Sequence, residues 1–495
     1  MRAAPLEGNR TQLGSDGYPA GFRAALEAVL GAEGLKTGAA LASLDPGIHP
    51  RNLRAGLMAR PATTAATAAV LALANRHGVG VVAQGGRTGL AGGAVTRAGQ
   101  LIVSLDRMNR IESVSVRART ATVEAGVTLE RLEEAVRAHG LGVGIDLGAR
   151  GSATIGGLVS TNAGGIDAFR YGTMRERVLG LEVVLADGRV LGEMSRVRKD
   201  NAGLALRQLF IGAEGTLGVV TRAVLALVDA RRPARAALVL VAELDAAIDL
   251  VRTLEALPGV SLAAAELMSG NHLALTARAL GIANVAALAP AEYALLVAVA
   301  TDADTAGEER FEDLLMQGLE SGRLADAVLP KNDLEARDLW RMREDWAVDR
   351  ARPGGLWYDV SVPVDALAGY LAAVRVRLRA HDPTLDLYTV GHLADGNVHL
   401  TVNAEAPITA RYAAIAPLIY EDLKALGGSF SAEHGIGTEK VAALEAWVGA
   451  SGIGLMRAVK AVFDPAGTLN PGKVLRARAS AATQGAEEDP EASGH

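Results

Sequence analysis

A chain of 495 residues, 49% hydrophobic and 21% charged, can bury more than one core and reads as a soluble globular protein rather than a disordered one. Its formal net charge of −6 disfavours nucleic acid as a partner. The absence of cysteine excludes disulfides, iron–sulfur clusters, thiolate zinc sites, a cysteine nucleophile and cysteine-linked flavin.

The opening MRAAPLEGNRTQLGSDGYPAG has no apolar core of the secretory kind, and no uncharged apolar run reaches membrane-spanning length. A cytoplasmic location is therefore expected, with peripheral membrane docking left open. Residues 1–50 form a mixed preamble. Ala62–His77 has helical propensity and stops at Gly78, and the buried strand VGVVA follows. Strands are expected again at Leu101–Leu105, Thr120–Glu124 and Leu181–Leu185, the last followed by an Asp187-Gly188 turn. Thr128–His139 reads as a helix. Residues 149–172, ARGSATIGGLVSTNAGGIDAFRYG, look too glycine-rich for ordinary helix or strand and too long for one turn. Glycine thins after Thr221, where helices such as Glu243–Leu257 alternate with strands such as Tyr293–Ala300. A boundary is placed near 221–235. The tail after Leu475 turns polar and acidic.

Three loops carry the glycine signal. QGGRTGLAGG follows a strand but lacks both the Walker ending and the dinucleotide-binding Rossmann spacing. Its amides can form an anion-binding nest, to which Arg87 and Thr88 add charge and a hydroxyl; glycines serving tight turns alone are the other reading. The 149–172 stretch and IGAEGTLGVVT supply further small residues and backbone donors. Three separated loops of this type favour a large cofactor over a single phosphate.

With QGGRTGLAGG, DLGARGSATIGG, TNAGG, FRYG, VLGLEVVLADG, RKDNAG, QLFIGAEGTLGVVT, GHLADGNVHL, SAEHGIG and LNPGKVL in this order, the sequence resembles the FAD-dependent D-2-hydroxy acid dehydrogenases of the vanillyl-alcohol oxidase superfamily. That group includes D-lactate, glycolate and D-2-hydroxyglutarate dehydrogenases, and DLGARGS and RKDNAG look especially like the last. The resemblance spans about residues 84–475. It implies an α+β fold: a PCMH-type FAD-binding domain of two subdomains at 51–225, and an α+β cap domain with an antiparallel sheet at 226–475, whose C-terminal segment returns to the flavin. Residues 476–495 are left as a frayed tail. It also implies that Gly85, Gly86, Arg87, Thr88, Gly89 and Leu90 meet the pyrophosphate. Ser152, Gly156, Asn162, Gly164, Gly215 and Val220 would line the flavin's path, and Asn470 would approach the isoalloxazine. Some relatives tether flavin through a histidine in the first glycine loop; Arg87-Thr88 stand there instead, so noncovalent FAD is expected.

Two of the nine histidines flank Asp395-Gly396 in GHLADGNVHL. A two-residue hairpin turn there would set His392 directly opposite His399 on one face, with Cβ atoms about 4.5–5.5 Å apart. Two imidazoles at that spacing suit one metal ion, whereas two buried imidazolium charges would repel. Glu433-His434 in SAEHGIG supplies one oxygen and one nitrogen donor beside the next glycine. The resemblance assigns Glu433 as the third ligand and His434 as the base. Zinc is the leading identity for such an N2O site, with Mn, Fe or Co as alternatives. His49, His77, His139, His272, His381 and His495 are read as structural or exposed.

The mechanism so implied oxidises a D-2-hydroxy acid to the 2-oxo acid. Hydride passes from C2 to flavin N5, His434 accepts the hydroxyl proton, and a divalent metal and Arg343 hold the substrate. Arg343 in LWRMRE resembles the family's carboxylate-binding arginine, whose planar fork suits bidentate contact; a helix-surface arginine is the alternative. The pattern of the D-2-hydroxyglutarate enzymes differs at three places: Ala347 replaces a threonine, Trp357 a lysine and Thr401 an asparagine. Losing a hydroxyl, a cation and an amide would leave a distal carboxylate unpartnered. Trp357 offers apolar area and one N–H. The sequence thus favours a monocarboxylic substrate such as D-lactate, with D-2-hydroxyglutarate dehydrogenase and a glycolate oxidase FAD subunit as alternatives, and an FAD-dependent oxidase of another alcohol more remote. The electron acceptor is left open among an electron-transfer flavoprotein, a quinone, a cytochrome and oxygen, and a homodimer is allowed.

Overall fold

The computed structural model describes residues 17–286, 288, 290–301 and 306–476. The chain divides into two compact units. Of the described residues, the first comprises 17–165, 171–230 and 433–476, and the second comprises 166–170 and 231–432. The described stretch from Glu433 onward is grouped with the first unit. The acidic tail lies outside the described residues.

The first unit is built on two main sheets. Leu35–Thr37, Leu57–Ala59, Leu101–Ser104 and Val81–Gln84 form one, antiparallel at its first pair and parallel thereafter. Ile111–Ser115, Thr120–Glu124, Val219–Ala226, Val178–Val184 and Val190–Glu193 form the other, wholly antiparallel. The Thr64–His77 helix starts where the Thr63 hydroxyl accepts the Ala66 N–H, and ends at Gly78 with φ of 65°. The Leu129–Arg137 helix is capped the same way by Thr128. After the last helix of the chain, Asn470 N–H donates to Val81 O at 2.7 Å, and Val81 N–H donates to Thr468 O at 2.7 Å. These two bonds stitch the returning segment onto the edge of the first sheet.

One expectation fails in this unit. Residues read as too glycine-rich for a helix contain one, Ile155–Thr161, begun by the Thr154 hydroxyl. Its glycine content has a packing cause: a Cβ on Gly156 would lie 2.7 Å from that of Ala125. The helix survives its poor propensity because it is packed close against the chain at Ala125.

The second unit carries a seven-stranded antiparallel sheet in the order Asp326–Val328, Arg235–Val241, Tyr293–Thr301, Val260–Ser269, Asp386–His392, Asn397–Asn403, Leu356–Ser361. One face packs Met268 and Val390 against Leu273, Leu339 and Met342 of the helices Gly270–Ala279 and Asp333–Glu344. Asn332 starts the second of these helices by accepting the N–H groups of Leu334 and Glu335. That fixes the helix whose last turn bears Arg343. No helix among the described residues is long and apolar enough to cross a membrane.

Candidate active site

In the first unit the glycine loops line one cleft of about 980 Å³, part of it open to solvent. Gly85, Gly86, Arg87, Thr88, Gly89, Gly156, Gly215, Val220 and Asn470 all line it, as does His434. Close backbone approach explains the first pair: a Cβ on Gly86 would lie 2.0 Å from Ser152 O, and one on Gly85 2.2 Å from the Thr154 hydroxyl. Arg87 lines the cleft with its Nε already donating to Asp45 O at 3.0 Å.

Four residues expected along the cofactor's path do not line the cleft. Asn162 takes the left-handed position that ends the Ile155–Thr161 helix, and its Oδ1 accepts from the Thr173 hydroxyl and the Arg175 N–H. Ser152 instead presents its carbonyl to Gly86. The Leu90 carbonyl is turned toward His49 Nε2, 3.2 Å away. Gly164, two residues after Asn162, is buried and does not line the cleft.

The cleft also has wall residues that the motifs did not single out: Thr154, Ser160, Thr161 and Glu214. Glu214 is the most consequential. Its two carboxylate oxygens accept the N–H groups of Ile436 and Gly437 at 2.7 and 2.8 Å, and Asn470 Nδ2 donates to its carbonyl. Burial raises its pKa, against the pull of those two amides. A carboxylate tucked inside GAEGT was the available sequence signal.

The second unit builds a polar site from side chains. Glu266 faces His392 across one pair of strands, Val390 faces His399 across the next, and His399 faces Asp359 across the last. Directly paired residues share a face, so Glu266, His392, His399 and Asp359 project from the same side of the sheet.

The hairpin register differs from expectation. The loop holds four residues, and His392 pairs with Asn397 instead of His399. Leu393 is fully buried and gives its N–H to Ala265 O at 2.8 Å, which removes it from the ladder the short turn required. A slip of two residues preserves the face, since side chains alternate with period two. The two rings therefore still meet, as diagonal neighbours with centroids 5.7 Å apart and planes at 86°.

Behind each ring stands a carboxylate. Glu266 Oε1 lies 2.8 Å from His392 Nδ1, and Asp359 Oδ1 lies 3.5 Å from His399 Nδ1. Both acids are almost wholly buried. The arrangement turns each Nδ1 toward an acid, the usual orientation of metal-binding histidines. The other oxygen of Glu266 accepts from Arg343 Nε at 2.8 Å. Burial would raise the Glu266 pKa, but His392 and Arg343 hold it at about 2. Neither acid was singled out in the sequence; the signal was a lone carboxylate inside each of the apolar strands LAAAELMS and LWYDVSV.

The segment that ends at Ala432 is tied to this sheet. Ser429 and Ser361 exchange backbone hydrogen bonds, and the Ala432 N–H donates to Asp359 O. Glu433, the next residue in sequence, is grouped with the first unit. Its Oε1 accepts the Gly165 N–H at 2.7 Å. Trp357 pairs with Thr401 two residues along from the Asp359–His399 pair. Its ring lies 5.1 Å from that of Trp346, and its Nε1 donates to Asp349 at 2.6 Å.

Known proteins match this chain along most of its length. A family described as FAD binding domain matches residues 55–192, and one described as FAD linked oxidases, C-terminal domain, matches residues 231–474. The D-2-hydroxyglutarate dehydrogenase, mitochondrial, of Bos taurus is 37% identical over 85% of this chain and 76% of its own length. The D-2-hydroxyglutarate dehydrogenase of Xanthomonas citri pv. viticola is 36% identical over 84% and 89%. The chain belongs to the FAD-dependent D-2-hydroxy acid dehydrogenase family. It is an FAD-binding oxidoreductase that oxidises a D-2-hydroxy acid.

The fold of this D-2-hydroxy acid dehydrogenase is shared more widely. The structure of p-cresol methylhydroxylase with substrate bound superposes with a TM-score of 0.72 at 17% identity, covering 93% of this chain and 98% of that one. The 4-ethylphenol oxidase from Gulosibacter chungangensis gives 0.67 at 19%, with the same coverage. The α+β, PCMH-type architecture expected from the motifs is the one found.

Proposed function

We propose that this dehydrogenase holds its substrate with a divalent cation and Arg343, and gives the hydroxyl proton to His434. The observation that carries the reading is the pair His392 and His399 on one sheet face, each with a buried carboxylate behind its Nδ1. Such a donor set fits a cation, with Glu433 as the oxygen ligand. Zinc leads, with Mn, Fe or Co as alternatives. When bound, FAD supplies the hydride acceptor and the cation supplies Lewis acidity. Arg343 keeps its guanidinium edge for the substrate carboxylate while its Nε is held by Glu266. His434, lining the flavin cleft, takes the proton. The glycine loops and Asn470 hold FAD noncovalently.

The names of the relatives support D-2-hydroxyglutarate as the first substrate to test. One observation supports a second reading, a monocarboxylic acid such as D-lactate. Trp357 brings an indole, a tryptophan neighbour and a carboxylate, Asp349, to the sheet face beside His399. A second substrate carboxylate gains nothing from that set. A glycolate-oxidase role is a lesser alternative. We infer a cytoplasmic location, an electron-transfer flavoprotein, quinone or cytochrome as acceptor, and a homodimer as the assembly, to be tested by fractionation and light scattering.

The experiment is anaerobic bleaching of the bound flavin by a panel of D- and L-2-hydroxy acids, with and without chelator. Bleaching by D acids alone, abolished by chelator and restored by zinc, is expected. Bleaching that chelator leaves untouched would remove the cation from the proposal.

A further inference from the structure

Glu266 is engaged at both ends. One oxygen is 2.8 Å from His392 Nδ1 and the other 2.8 Å from Arg343 Nε, and the side chain is 2% exposed. A carboxylate so deep in an apolar strand is tolerated only if both oxygens are satisfied. We propose that Glu266 is the positioning residue of this site: a single carboxylate that fixes the ring nitrogen His392 can offer and the direction in which Arg343 points its fork. The inference rests on the roles given above to His392 and Arg343.

The chemistry of the bridge makes this specific. With Nδ1–H donated to Oε1, the imidazole is the tautomer that carries its lone pair on Nε2, the form a cation ligand requires. With Nε donated to Oε2, the two terminal nitrogens of the guanidinium remain for a substrate carboxylate. One residue thereby ties two ends of a bound 2-hydroxy acid, its hydroxyl and its carboxylate, to a common rigid point. The strand itself is held in the middle of the sheet, Glu266 pairing with Leu296 on one side and His392 on the other. Nothing about Glu266 depends on a flexible loop.

A glutamine at this position cannot replace the glutamate. Its oxygen can accept from one partner only, and its amide then faces the other as donor against donor, or forces His392 into the wrong tautomer. Aspartate keeps both acceptors but falls one methylene short.

The test uses the full-length holoenzyme and three variants, Glu266→Ala, Glu266→Gln and Glu266→Asp, beside Arg343→Met and the double variant Glu266→Ala/Arg343→Met. Zinc affinity is read by chelator competition in the absence of substrate, and KM and kcat are read at saturating zinc. Zinc affinity is expected to fall by roughly 10–100-fold in Glu266→Ala. Glu266→Asp should recover part of it, and flavin content should stay at the wild-type level in all variants. At saturating zinc, KM should rise more than kcat falls. The double variant should show no higher KM than Arg343→Met alone, because the arginine is the route by which Glu266 acts on substrate. A Glu266→Ala enzyme that binds zinc within threefold of wild type, a Glu266→Gln enzyme that matches wild type in both zinc affinity and KM, or KM effects that multiply in the double variant, would overturn the assignment. Failure of the underlying reading shows elsewhere, as a wild-type enzyme that binds no zinc or whose flavin no D-2-hydroxy acid bleaches.

Discussion

The glycine-lined cleft of the first unit and the acid-backed histidines of the second solve the binding problem in opposite ways. The cleft is made of backbone: its determinants are missing Cβ atoms, left-handed turns and amides, as at Gly85, Gly86 and Gly215. The sheet face is made of side chains, and its geometry is set by which residues pair across strands. A backbone site is broken by adding atoms. A side-chain site is broken by removing them, and by acid.

The largest effect expected from that contrast is at His434. Replacement by alanine should lower kcat by about 10²–10⁴-fold, the range for a positioned general base, without loss of flavin absorbance. Equal loss of flavin and activity would make His434 a cofactor residue instead.

Acid should act first on the second unit. His272 is buried, with Nε2 3.1 Å from Met342 O, and burial, with Arg343 adding to it, lowers its pKa to about 4. The folded state therefore resists the proton that the unfolded chain accepts near its ordinary pKa of about 6.5. Its stabilising effect is complete above about 6.5 and is lost as pH falls toward 4, by about 3 kcal/mol in all. Denaturant titrations from pH 7.5 to 4 should show this slope in wild type and a flatter one in His272→Asn. An unchanged slope would place the acid sensitivity elsewhere.

In the cleft, Gly86→Ala must push against the Ser152 carbonyl. It should cost about 1–3 kcal/mol, read as weaker FAD binding in a fluorescence titration or a lower melting temperature, with zinc affinity unchanged. Trp357→Lys gives the smallest effect. It should shift the ratio of kcat/KM for D-2-hydroxyglutarate over D-lactate by up to about fivefold toward the diacid, the value of one exposed charge contact of up to about 1 kcal/mol. A ratio that does not move would dissociate Trp357 from substrate choice.

The two regions also differed in how far they could be read in advance. That Gly85–Gly89, Gly156, Gly215 and Asn470 would come together along one cleft was legible because short glycine motifs encode backbone paths locally. That Asn162 ends a helix and does not line the cleft was not legible, because an asparagine that ends a helix and one that touches a ligand look the same in sequence. The histidine pair was legible from its spacing, although its register was wrong by two residues, an error that period-two alternation forgave. Glu266 and Asp359 were invisible as partners because they come from strands 126 and 40 positions away from the histidines they support.

By itself the sequence determined what is local and chemical: an FAD-binding α+β chain, the glycine paths, and the residues able to ligate, to accept a proton and to grip a carboxylate. Tertiary structure alone decided which acid stands behind which histidine, which helix survives its glycines, and that Arg343 is tethered before any substrate arrives. The physical reason is that strand pairing and burial are long-range. They join residues whose separation along the chain carries no periodic trace, and a buried carboxylate reveals its purpose only when both of its partners are in place.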